Sequence, residues 1–297
     1  MTNATAASAP IAAGAWTSGL STAEFAATLE AGLTPLGFVQ GCSVVNWNFY
    51  GFGLNSLGLG GGQLSGYSEQ YSCPHGIVSN EHRRYGLNYE KTWLERAYKS
   101  SFAAAKERLV NEARAMGACG VIDIVERTEY HSESGAFEFT LNGTAVGLSG
   151  VAPPSTPFTT YLAGQRFNRL IEAGFVPVEI TLAISAIGVY SSCVTEYQLR
   201  GAGATGLGFG QMSYGAIPAG EITQITNAEI AARSLVREQL RPQLHGDILH
   251  GALLKVRSHE SAEGPQIEAI LQGTRVRQYR DFAPIAPPRP VIRLVDR

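Results

Sequence analysis

Cys73-Pro74-His75 is the one place where a thiol and an imidazole stand close together in this sequence, with His82 a few residues on. Thiolate and imidazole are the ordinary ligands of zinc, so Cys73, His75 and His82 are the candidate metal ligands, and His131 could approach them. The spacing is not that of the short-range ligand pairs that structural zinc sites use. Cys42, Cys119 and Cys193 are scattered and read as small buried hydrophobes in a reduced, cytoplasmic compartment. Gly201-Ala202-Gly203-Ala204-Thr205-Gly206 satisfies GxGxxG in form, but more glycine follows where a nucleotide-binding loop would open a helix. Asp123 and Glu126 fall on opposite faces of one strand, which does not suit an acid/base couple. With no GxSxG, HExxH or Cys/His pair beside an orienting acid, the chain reads as non-enzymatic. No cofactor is implied; a metal is the open alternative.

The elements that would position these residues are centred on Tyr89–Val146. Leu94, Tyr98, Phe102, Ala105, Leu109, Ala113 and Met116 make an apolar stripe on one long helix, with charged residues on the other side. Asn88 is the expected N-cap and Gly117 the expected residue just past the end. Val121–Val125 and Phe137–Leu141 read as a hairpin turning through His131–Gly135. Ahead of the helix, Phe38–Tyr50 reads as a strand, Gly51–Gly66 as a glycine-rich loop, and Tyr67–Gly86 as irregular. An aromatic cluster at Trp47, Phe49, Tyr50 and Phe52 reads as core or interface.

Tyr89-Glu90-Lys91, the Met116-Gly117-Ala118-Cys119-Gly120-Val121 helix exit and the closing Gly143-Thr144-Ala145-Val146 resemble the YbjQ family, a small bacterial family named for heavy-metal binding. The resemblance covers roughly Leu36–Gly147. It implies a β-α-β-β unit and a pentameric ring, and it informs fold more than chemistry.

The chain then repeats itself. Phe167–Gly174 echoes Phe25–Gly32, and Pro177 falls where Pro35 does. Thr226-x-x-Glu229 reads as a capping box opening a second helix that Pro242 ends. Leu271-Gln272-Gly273-Thr274-Arg275-Val276 matches Leu141-Asn142-Gly143-Thr144-Ala145-Val146. The reading is a tandem duplication within an α+β fold. Each unit is expected to be a three-stranded antiparallel sheet of order 1-3-2 under one long helix. Gly117, Gly143, Thr144, Gly273 and Thr274 are its structural landmarks; glycine inside a strand marks a bulge or a close backbone approach. The expected divisions are a mobile segment 1–20, a first repeat 21–150, a Pro-rich linker 151–160, a second repeat 161–280 and a tail 281–297.

Composition sets the partners. Only 16% of residues are charged, against a usual share of about 25%, and the net charge is −2. Nucleic acid is not an expected partner, and a membrane is a lesser alternative. The two glycine-rich stretches, Gly51–Gly66 and Gly201–Gly220, are both uncharged. They carry Phe52, Leu54, Leu57 and Leu59 in one, Leu207, Phe209, Met212 and Ile217 in the other. An exposed apolar loop promotes association, so these residues are the expected contacts of a homo-oligomer. The alternatives are a hydrophobic partner or a membrane surface. Pro287-Pro288-Arg289-Pro290 in the tail could dock in a partner's aromatic groove. The N-terminus has no basic region of the secretory type. The function these features imply is a self-assembling scaffold or binding protein, with a metal- or small-ligand-binding module as the alternative.

Overall fold

The computed structural model describes residues 18–46, 69–73, 76–80, 88–131, 136–189, 195, 221–261 and 264–281. The first half runs α1 (Thr22–Glu30), β1 (Leu33–Asn46), β2 (Glu69–Cys73), β3 (Gly76–Asn80), β4 (Asn88–Glu90), α2 (Thr92–Ala115), β5 (Gly120–His131) and β6 (Ala136–Leu148). The second runs β7 (Phe158–Thr159), α3 (Gly164–Glu172), β8 (Phe175–Val189), α4 (Thr223–Leu240), β9 (Ile248–Ser261) and β10 (Gly264–Gln278), with a 3-10 turn at Arg241–Leu244. The fold is mixed α/β, with four α-helices and two larger sheets among the described residues.

The sheets are ordered β1-β6-β5-β7 and β4-β8-β10-β9. Each has four strands, which corrects the expectation of three. Within each, the first strand of the unit, the closing strand and the middle strand stand side by side. The extra strand is donated by the other half. Phe158–Thr159 leaves the expected linker to pair in parallel with Gly120–Val121. Asn88–Glu90 pairs antiparallel with Ile187–Val189. Asn88 is therefore a strand residue rather than a helix cap. The cap of α2 is Lys91, which makes no capping bond through its side chain. Gly117, with φ +71°, follows that helix as expected.

Two further readings are corrected. Tyr67–Gly86 is not wholly irregular, because β2 and β3 form a hairpin within it. Thr226 does not open the second long helix, which starts a turn earlier at Thr223 after Ile222. At α1, Ser21 and Glu24 form a reciprocal capping box.

The halves share their irregularities as well as their order. Leu36 bulges out of β1 opposite Ala145 and Val146, and Val178 bulges out of β8 opposite Arg275 and Val276. After Ile122 two residues of β5, Asp123 and Ile124, face the single Gly143, and after His250 two residues of β9, Gly251 and Ala252, face the single Gly273. The bulged Asp123 and Gly251 take the same left-handed conformation, at φ 54° and 64°. Gly143 and Gly273 face these bulges. A Cβ at Gly143 would stand 2.6 Å from Val121, and one at Gly273 would stand 2.8 Å from Leu249.

The core has one unusual property: α2 serves both sheets. Its stripe of Leu94, Tyr98, Phe102, Ala105 and Leu109 joins one buried cluster with Phe137, Phe139 and Leu141 of its own sheet. Ile180, Leu182, Ile184 and Ala186 of the second sheet belong to the same cluster. The opposite face of β8, Ala183, Ile187 and Val189, packs under Ala228, Ala232, Leu235 and Val236 of α4. The layers thus run sheet, α2, sheet, α4.

Candidate functional site: the junction between the halves

Lys91, at the start of α2, opens the junction. It is 3% exposed. Its backbone N–H donates to Ala186 O at 2.8 Å, extending the β4 pairing onto β8. Its Nζ donates to Gln266 Oε1 at 2.7 Å, and Gln266 in turn donates to Glu268 at 2.7 Å. One helical turn on, Glu95 accepts from the Ala186 N–H and from Gln239 of α4. Burial pushes the Glu95 carboxyl above its ordinary range, against the opposing pull of the Ala186 bond and Lys99. Asn88 reaches α4 as well: its side-chain amide donates to the Gln224 main-chain carbonyl and accepts from the Gln224 side chain.

At the far end of α2, Lys106 pairs with Glu179, and Arg275 reaches Glu179 at 2.8 Å and Asp247 at 3.5 Å. Burial opposes ionisation at Glu179, but Lys106 and Arg275 outweigh it and hold the carboxyl below its usual value. Arg275 is where the second half departs from Ala145 of the first, and this ion network is what the departure builds.

Thr144 and Thr274 anchor the segment that precedes the short helix in each half. Thr274 Oγ1 lies 3.1 Å from Thr160 Oγ1 and accepts the Tyr161 N–H at 3.2 Å. Thr144 accepts the Gly19 N–H at 3.3 Å and lies 3.5 Å from Ser18 Oγ. In the second half the anchored segment also bonds across to the first: Thr160 N–H donates to Val121 O, while Asp123 and Ile124 donate to Leu162 O and Thr160 O. Gly120 makes room for the Phe158 ring there, since a Cβ would fall 2.3 Å from it.

Glu126 of β5 is largely buried in the same junction, near Tyr161, Lys255 and Arg257. Burial pushes its carboxyl up, and Lys255, the Tyr161 hydroxyl and Arg257 only partly oppose that. The Tyr161 hydroxyl faces the Glu126 carboxyl and is itself pushed up by burial and by that neighbouring acid. Asp123 is also raised, by burial and by Glu24. The proton-linkage sign follows. Glu126 is neutral in both states below the unfolded value of about 4.3. Above it, the unfolded chain ionises first and stability falls. Glu126→Gln should match the wild type near pH 4 and exceed it by about 1 kcal/mol near pH 7. Urea denaturation across that range checks this; a variant less stable at pH 7 contradicts it.

A cleft of about 500 Å³ opens where α2 meets the second half, lined by Lys99, Phe102, Lys106, Val110, Thr156 and Leu182, among others. Its lysines are engaged, Lys99 with Glu95 and Lys106 with Glu179. Cys42 and Cys119 are free thiols, Cys119 buried beneath the exit of α2. Among the described residues, no group of three or more His, Cys, Asp and Glu is placed to hold a metal. Cys73 ends β2, paired with Gly76 of β3, and His75 and His82 lie outside the described residues. So do Phe52, Leu54, Leu57 and Leu59, Leu207, Phe209, Met212 and Ile217, the cluster Trp47–Phe52, and Pro287-Pro288-Arg289-Pro290. No described helix is long and apolar enough to cross a membrane.

No protein-family model matches the chain. An encapsulin nanocompartment protein of Mycobacterium tuberculosis, Rv1762c, is 26% identical over 238 residues, spanning 78% of this chain and 73% of the relative. The junction was only half visible in the sequence. Thr144 and Thr274 stood out, but Lys91, Glu95 and Glu126 meet partners more than thirty residues away, and no local spacing marks such pairs.

Proposed function

We propose that this chain is a non-enzymatic, self-assembling scaffold built from a tandem YbjQ-like duplication. The observation that carries the reading is the exchange at the junction: each half lends a strand to the other's sheet, and α2 fills the space between both sheets. Units of this kind are adhesive, because one sheet face stays open until another unit covers it. The relative in M. tuberculosis is by its name a nanocompartment protein, which fits a role in assembly. We place the scaffold in the cytoplasm, with reduced thiols, as a pentameric ring of the kind the family resemblance implies.

In this reading Phe52, Leu54, Leu57 and Leu59 of one glycine-rich stretch and Leu207, Phe209, Met212 and Ile217 of the other pack against neighbouring subunits. The double substitution Leu57→Asp with Leu59→Asp would bury unpaired charge and should break the ring. Negative-stain electron microscopy tests it. Fivefold rings for the wild type and none for the variant support the proposal; identical particles from both remove these loops from the interface.

A further inference from the structure

α2 does more than fill the space between the sheets: its charged side chains reach two strand edges. β1 stands at the end of its sheet, and β8 is covered on its outer side by β4 only at Ile187–Val189. Both strands are long, at 14 and 15 residues. β1 contains no charged residue, and β8 contains only Glu179. Such an edge presents a row of main-chain donors and acceptors to any strand that comes alongside, and long uncharged edges are the ones that pair.

Alternate residues of an antiparallel edge strand turn both main-chain groups outward. On β1 these include Gln40 and Cys42. The Gln40 N–H donates to Glu112 Oε2 at 2.7 Å, and the Arg108 guanidinium donates to Cys42 O. On β8 they include Ile180 and Ala186. The Ala186 N–H donates to Glu95 at 3.2 Å, and its carbonyl accepts the Lys91 N–H. Further along, Lys106 Nζ donates to Ile180 O at 3.2 Å, and the Ile180 N–H donates to Thr159 at 2.9 Å. One helix thus sets an acid and a cation on each edge: Glu112 and Arg108 on β1, Glu95 and Lys106 on β8. The strands toward the other ends of the two sheets are of a different kind. β5 carries Asp123, Glu126, Arg127 and Glu129, and β9 carries Lys255, Arg257 and Glu260. Charge on a strand by itself discourages pairing.

We propose that α2 is an edge guard, whose charged side chains keep the two weakly charged edge strands of this chain from pairing with a strand of a second copy. The guard is independent of the self-assembly reading. Whatever contacts the chain makes elsewhere, these two edges are closed to them.

The test uncovers β1, since Glu95 and Lys106 also hold the junction. Arg108 and Glu112 are exposed, and alanine suits an exposed helix position. Arg108→Ala with Glu112→Ala should therefore keep the wild-type melting temperature. Light scattering on size-exclusion fractions of the full chain, at rising concentration, should then show species heavier than any the wild type forms. Glu107→Ala with Arg114→Ala removes the same two charges from the same helix but leaves the edge covered, because Arg114 bonds to Asn111 and Ser155. That pair should match the wild type. So should Arg108→Lys with Glu112→Gln, which keeps a donor and an acceptor beside the strand. Adding Val44→Lys to the alanine pair, at a β1 position 60% exposed, should remove the heavier species by placing charge on the edge itself. An alanine pair with the wild-type mass distribution overturns the proposal. So does equal association by the Glu107 and Arg114 pair, or a heavier species that survives Val44→Lys.

Discussion

Gly41→Ala should destabilise the protein by about 3 kcal/mol, the upper part of the range for overpacking a well-filled core. A Cβ at Gly41 would fall 1.9 Å from Ala105 O and 2.7 Å from Leu109 N, both backbone atoms of α2. No rotamer relieves a clash with backbone, so the helix itself has to lift from β1. Lifting α2 also loosens its hold on β8, since the same helix packs on both sheets. The matching residue of the second half is Ala183, 0% exposed, where α4 stands far enough from β8 to accept a methyl group. The first helix sits closer to its sheet than the second because glycine permits it. Chemical denaturation decides the point; a midpoint unchanged by Gly41→Ala would show that α2 can move freely.

Gly120→Val should act on the junction rather than on either unit. The new side chain would stand where the Phe158 ring lies, and that ring would have to leave its stacked position 5.9 Å from Phe167. The expected result is detachment of Phe158–Thr159 from β5, at a cost of about 2 kcal/mol. Hydrogen exchange reads it locally. The Thr160, Asp123 and Ile124 amides donate across this seam and should lose protection, while amides between β1 and β6 should keep theirs. Uniform loss over the whole chain, or none, contradicts a separable seam.

What the sequence disclosed was local periodicity and its repetition. The stripe on α2, the Gly-Thr pairs at Gly143-Thr144 and Gly273-Thr274, and the side-by-side order of the three main strands follow from spacing that recurs in both halves. What it hid was exchange. Asn88–Glu90 and Phe158–Thr159 are too short to show a strand's alternation, and one sits against a helix while the other follows three prolines. Asn88 looked like a helix cap because asparagine is a common one. Thr226 and Glu229 had the spacing of a capping box, yet the helix starts earlier and Glu229 pairs with Arg233 instead. Glu126 looked like a surface strand residue because its surroundings, Tyr161, Lys255 and Arg257, all come from the second half.

The central claim is that the chain assembles with itself, and its mass in solution tests that most directly. Sedimentation equilibrium at micromolar concentration should return a multiple of the 31.7 kDa chain mass, with five chains as the value the ring predicts. A mass of a single chain, unchanged as concentration rises, would contradict the account.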